Sequence, residues 1–225
     1  MSAPSGEPAG GRDWDAWHLP YDDPDSPLSH RLAVVQRAIA DCLAEAPPGP
    51  IPVVSMCAGQ GRDLLGVLPG HPRASDVTAR LVEADERNAA RAREAAAAAG
   101  LGGVEVVTGD ASTTGAYRGA VPAQLVLVCG VFGNISWEDI CVTVDHLPEL
   151  CAARATVVWT RHRRPPDLTP AIRRRFAEAG FEERAFVGPD GFVFGVGVHR
   201  LTADPRPCTG DRRLFTFTGD GSRPA

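Results

Sequence analysis

The chain has 225 residues, 44% of them hydrophobic, with six cysteines and a formal net charge of −5. That length suits one domain with extensions, the balance is that of a folded chain rather than a disordered one, and the acidic charge argues against a general nucleic-acid binder. The 23 cationic side chains are all arginines, so no lysine serves as a base or forms a Schiff base.

In chain order, residues 1–12 are rich in Ser, Pro and Gly and are expected to be disordered. They carry neither the charged nor the apolar region of a signal peptide, and no apolar run reaches transmembrane length, so a cytoplasmic protein without a membrane partner is expected. An aromatic cluster follows, with Trp14, Trp17 and Tyr21. Leu32, Val35, Ile39 and Leu43 recur at three- and four-residue spacing and predict a helix from about Ser29 to Glu45, which Pro47-Pro48-Gly49-Pro50 ends. From there strands and helices alternate. The predicted strands are Ile51–Met56, Arg80–Ala84, Val104–Thr108, Gln124–Cys129 and Thr156–Thr160. The predicted helices are Arg62–Leu68, Glu86–Ala99, a short one at Thr114–Tyr117, then Trp137–Leu147 and Thr169–Ala179. Glu183–Val187 and Phe192–Leu201 read as an antiparallel pair joined by Gly188-Pro189-Asp190-Gly191. Residues 203–225 form a tail rich in Pro, Gly and Arg with one strand-like run, Leu214–Thr218. This alternation predicts a doubly wound, mostly parallel sheet. The expected organisation is a disordered start plus an N-terminal cap or lid helix over 1–50, a core over 51–202 and the tail.

None of the six cysteines forms a C-x-x-C pair, and several lie in apolar runs; buried free thiols are expected rather than a disulfide or zinc framework.

The segment from Val53 to Leu65 (VVSMCAGQGRDLL) reads as a buried strand, a glycine turn and a helix start. Gly59 and Gly61 let bare backbone approach a ligand, which marks a nucleotide-type cofactor site; a tight turn without a ligand is the alternative. Acidic residues close the next two strands. Glu83, about 20 residues beyond Gly61, is placed to accept ribose hydroxyls, or else it leads the following helix as a solvated charge. Asp110 is placed to accept an adenine amine, or else it caps a helix. The fourth strand ends in Gly130-Val131-Phe132-Gly133-Asn134.

Together, Ser55–Gly61, Glu83, Gly109-Asp110-Ala111, Cys129–Asn134 and the final hairpin resemble the class I S-adenosylmethionine-dependent methyltransferases, over roughly residues 51–201. The resemblance implies a Rossmann-like seven-stranded sheet of order 3-2-1-4-5-7-6 with a C-terminal antiparallel hairpin and an N-terminal helical extension. It implies S-adenosylmethionine as cofactor, held by Cys57, Ala58, Gly59, Gly61, Glu83, Asp110, Ala111, Gly130 and Val131. Two residues depart from the pattern: Ser55 where an acidic residue is usual, and Cys57 where the first glycine is usual.

Methyl transfer from a sulfonium mainly needs alignment, with a base for a hydroxyl acceptor. The candidates are His162, in Thr160-Arg161-His162-Arg163-Arg164, and Asn134; a solvated loop histidine is the alternative for His162. Residues 129–131 lack the carboxylate of the family's metal-dependent members, so no catalytic metal is expected. The Asn-Pro-Pro-Tyr-type motif of base and amide methylation is absent from the fourth strand's end, which leans toward a small-molecule acceptor and away from nucleic acid. Two other readings stay open: a nicotinamide-dependent oxidoreductase and a non-catalytic binder of S-adenosylmethionine. The sequence does not set the oligomeric state.

Overall fold

A computed structural model of the chain describes residues 16–218. Trp14 lies outside the described residues, as does the side chain of Trp17. Seven strands form one sheet: β1 Ile51–Met56, β2 Val77–Glu83, β3 Val104–Thr108, β4 Ala123–Val128, β5 Cys151–His162, β6 Phe181–Val187 and β7 Phe194–Leu201. Their order is β3-β2-β1-β4-β5-β7-β6. The first five are parallel, and β7 runs antiparallel between β5 and β6. The helices are α1 Pro27–Glu45, α2 Arg62–Leu65, α3 Glu86–Ala98, α4 Trp137–His146 and α5 Thr169–Glu178.

The period-2 alternation of the strands divides the core into two layers. Val54, Met56, Val126, Val128, Val157 and Trp159 face one way, onto Ile140 and Val144 of α4 and Ile172 and Phe176 of α5. Val53, Leu125, Leu127 and Val158 face the other way, onto Val35, Ile39 and Leu43 of α1, Leu64 and Leu65 of α2, and Ala92 and Ala96 of α3. Covering both faces requires strands that are apolar throughout, which is why β4 has no polar face. The predicted N-terminal helix is therefore a packing layer of the sheet, joined to the core through one apolar stripe. Ser26 caps it, accepting from the Ser29 N–H at 3.1 Å.

Element boundaries fall within three residues of expectation, α2 being a single turn that ends at Leu65 rather than Leu68, except that β5 begins at Cys151 rather than Thr156. The early part of β5 carries Ala-Arg-Ala and a register shift against β4, so it lacks the apolar run that marks a central strand. The six cysteines are free thiols. Among the described residues, no helix is long and apolar enough to cross a membrane.

Candidate active site

The C-terminal ends of the parallel strands converge where the chain reverses direction across the sheet, between β1 and β4, which is where this architecture opens a crevice. The turn after β1 is set by three alternate left-handed positions, Cys57 (φ 49°), Gly59 (φ 56°) and Gly61 (φ 69°). Cys57 thus takes the conformation a glycine would take there. The turn is tied to β2 by the Ala58 N–H donating to the Val82 carbonyl at 3.0 Å. It is also tied by the Gly59 N–H donating to Glu83 Oε2 at 2.7 Å, while Glu83 Oε1 accepts from the Asp85 N–H at 2.9 Å. Glu83 is nearly buried, at 8% exposure. Each of its oxygens holds one backbone donor and keeps a further acceptor position.

The crevice has about 1060 Å³ of empty space, its open mouth included. Of the expected cofactor residues, it brings together Cys57, Ala58, Gly59, Glu83, Asp110, Ala111 and Gly130. Gly61 and Val131 are not in its wall. A Cβ on Gly61 would come within 2.8 Å of Leu65 Cδ1 and 2.9 Å of Leu81 Cδ2, so this glycine serves the packing of the turn onto the sheet. Val131 is fully buried in the core. Asp110 is exposed; the hydrogen bond from Ser112, helped by Arg213, holds its carboxyl below the usual carboxylate range. Burial pushes the Cys57 thiol well above its ordinary value, so it is a neutral packing group rather than a nucleophile.

No protein-family model matches the sequence, and no curated protein is detectably similar to it. Solved structures do match in shape. Magnesium protoporphyrin IX methyltransferase from Synechocystis PCC 6803, solved with bound SAM, superposes with a TM-score of 0.65 at 13% identity, over 84% of this chain and 91% of that one. An O-methyltransferase family protein from Burkholderia thailandensis gives 0.58 at 17% identity, over 84% and 69%. An rRNA methylase from Streptococcus thermophilus gives 0.56 at 10% identity, over 73% and 94%. This is the class I methyltransferase fold. The strand order and the antiparallel seventh strand match the sequence expectation in full. The fold is shared by proteins named for a porphyrin and for rRNA, so it does not by itself choose an acceptor.

Two further segments complete the methyltransferase-fold crevice. The chain after β7 runs as a strap across α4 to the ends of β3 and β4. Its backbone is fixed by Leu214 N–H to Ser112 carbonyl (2.7 Å), Thr114 N–H to Arg212 carbonyl (2.9 Å) and Thr218 N–H to Asn134 carbonyl (3.1 Å). The predicted strand-like run is seated through isolated bridges, Thr113 with Arg213 and Ile135 with Phe217, rather than a ladder. It delivers Phe215 and Phe217 to the crevice wall beside Asp110, Ala111 and Ser112, the two rings edge to face with centroids 5.5 Å apart. At the opposite end, the 3-10 turn Ala16–Asp22 brings Tyr21 into the wall. Asp22 pairs with Arg62 at 3.1 Å, and the Tyr21 hydroxyl accepts from Arg31 Nη2 at 2.6 Å.

The two expected catalytic residues stand outside the crevice wall. Asn134 donates its side-chain amide to the Gly130 carbonyl at 2.7 Å, which closes the Gly130–Asn134 loop on itself. His162, at the end of β5, packs behind that loop; a Cβ on Gly133 would sit 3.5 Å from its Cδ2. Burial, reinforced by Arg161 and Arg164, lowers its pKa, so the ring is neutral at pH 7. Its buried Nδ1 has no hydrogen-bond partner among the described residues. Arg161, beside it in the chain, is buried and donates to the Phe132 carbonyl.

Sequence reasoning missed Phe215, Phe217, Arg31 and Asp63 as wall residues. The i, i+2 spacing of Phe215 and Phe217 was the available signal for the strap. Arg31 and Asp63 carry none, because each lies on a helix whose other residues explain its pattern.

Proposed function

We propose that the protein is an S-adenosylmethionine-dependent methyltransferase acting on a small-molecule acceptor. The observation that carries this reading is Glu83. Its nearly buried carboxylate faces a crevice also walled by the glycine turn, Asp110 and Gly130, and it retains acceptor capacity after holding two backbone donors. A ribose diol presents two hydroxyl donors, and a buried anion with open acceptor positions favours them. Asp110 with the strap phenylalanines suits a flat, polar-edged base, and Cys57, Ala58 and Gly130 line the stretch of wall between nucleoside and acceptor. When bound, the sulfonium supplies a methyl group that is already activated, so the protein's task is to align the acceptor. His162 and Asn134 stand outside the crevice wall, with the loop that Asn134 closes lying between His162 and the cavity, so the reading rests on alignment of the acceptor and assigns no side-chain base.

A nicotinamide-dependent oxidoreductase uses a related crevice, and titration calorimetry separates the two. S-adenosylmethionine and S-adenosylhomocysteine are expected to bind, NAD(H) is not, and Glu83→Ala weakens binding by about 1–3 kcal/mol. Binding of NAD(H) without S-adenosylmethionine would sink the proposal. Once an acceptor is in hand, His162→Ala is expected to keep both turnover and cofactor affinity. Lost turnover with cofactor affinity retained would restore His162 as the base.

A further inference from the structure

The 3-10 turn Leu147–Glu149, between α4 and β5, buries a carboxylate away from the crevice wall. Glu149 is 9% exposed, and its Oε2 has no hydrogen-bond partner among the described residues. Its Oε1 is 2.8 Å from Nδ1 of His146, at the end of α4. The arginines that face it come from the strap. Arg206 Nη2 lies 3.8 Å from Oε1, and Arg212 Nε lies 3.6 Å from Oε2. Both arginines are exposed, so the anion lies inside and its cations lie over it. A buried carboxylate stripped of its cations is strongly destabilising, so a strap that lifts leaves Glu149 uncompensated.

The same arginines are built into the strap's seat. The Arg206 N–H donates to the Pro148 carbonyl at 3.0 Å, and its guanidinium donates to the Asp145 carbonyl. The Arg212 N–H donates to Thr114 Oγ1 at 3.0 Å. The next residue already reaches the crevice: Arg213 donates to Ser112 Oγ at 2.7 Å and to Asp110 Oδ2 at 3.4 Å. Phe217 follows in the wall. The residue that balances Glu149 and the residue that holds Asp110 are thus chain neighbours, and seating one places the other.

We infer that Glu149 is a positioning residue for the nucleoside end of the crevice. It seats the strap through Arg206 and Arg212, and the seated strap presents Arg213 and Phe217. The inference rests on the cofactor reading above and adds to it a residue that touches no ligand. By linkage, a ligand that leans on Phe217 holds the strap down in return.

The test is a double-mutant cycle on the full chain, read by calorimetry with S-adenosylhomocysteine. Glu149→Gln keeps the side chain's shape and removes its charge. It is expected to weaken binding about three- to fivefold. In the Phe217→Ala background the same change is expected to weaken binding by less than about twofold, because most of what it positions is gone. Chymotrypsin gives a second readout, since Leu214 and Phe215 are buried while the strap is seated. Cleavage there is expected to quicken in Glu149→Gln without cuts at the core residues Phe132 and Phe176, and S-adenosylhomocysteine is expected to slow it in the unaltered protein. Where Glu149→Gln does not fold, Arg212→Met, at an exposed side chain, carries the same cycle. The positioning role is overturned by unchanged binding, by a loss that adds in full to that of Phe217→Ala, or by strap cleavage no faster than in the unaltered protein; each leaves the cofactor reading standing. Failure of the unaltered protein to bind S-adenosylhomocysteine overturns both.

Discussion

Cys57 holds a left-handed backbone angle that costs a side-chain-bearing residue about 1–2 kcal/mol. The departure seen in the sequence, a cysteine where a glycine is usual, is thus a change of residue without a change of backbone shape. Cys57→Gly relieves the strain but frees the unfolded chain by a similar amount, so stability is expected to stay within about 1 kcal/mol. Cys57→Val puts a β-branched residue at positive φ and is expected to lose about 2 kcal/mol or more. Urea denaturation of the two variants checks both values, and equal stability of Gly and Val variants would contradict the strained turn. A second residue-scale effect lies in the core. His199 is fully buried; its Nδ1 accepts from Trp159 Nε1 at 3.1 Å and its ring stacks on Phe176. Burial lowers its pKa to about 4, against the opposing pull of Glu183, whose Oε2 is 3.5 Å from Nε2. The unfolded chain therefore binds a proton that the folded chain refuses between pH 6.5 and 4. The neutral histidine's contribution is complete above pH 6.5 and falls away below it, by about 3 kcal/mol once pH 4 is passed. Denaturation midpoints measured from pH 7 to pH 4.5 should fall along this course, and His199→Phe should flatten that part of the dependence.

At the scale of elements, the parts legible in the sequence are those whose patterns are local. The apolar run at β4, the stripe on α1 and the Ala-rich α3 each announce themselves within about a dozen residues. Glu83 and Asp110 are legible as crevice-wall residues because strand ends in a parallel sheet share one edge. What the sequence hid is set by long-range placement. Asn134 follows β4 and His162 ends β5, as wall residues do, yet the Gly130–Asn134 loop leaves both outside the crevice wall. The tail reads as a polar extension, yet Leu214 and Phe215 are each 1% exposed, and the Ser112 and Asn134 carbonyls and the Thr143 hydroxyl, far away in sequence, bond the strap's backbone. The strap gives its own prediction. Phe215→Ala empties a core site and is expected to cost about 3–5 kcal/mol of stability. Phe217→Ala, at the partly exposed wall, is expected to keep most of the stability and to weaken nucleoside binding by about 1 kcal/mol. Thermal melts read beside ligand titrations separate the two, and unchanged affinity in Phe217→Ala would remove the strap from the ligand wall.

For the molecule as a whole, the sheet order does the positioning. It sets the ends of β3, β2, β1 and β4 side by side, so that a linear ligand meets Asp110, Glu83, the glycine turn and Gly130 in succession. Helix α1 ties the N-terminal turn to the core, and the strap ties the C-terminal segment to the opposite end. Both chain ends thereby contribute walls that the central sheet lacks. The arrangement is consistent with a chain that no family model and no curated protein matches in sequence, yet whose fold is shared with methyltransferases of 10–17% identity. The most direct test is a crystal structure with S-adenosylhomocysteine. The account predicts both ribose hydroxyls within about 3.2 Å of the Glu83 carboxylate and the adenine between Asp110 and Phe217. A ligand bound elsewhere, or bound here with its adenine at the Arg31 end, would contradict it.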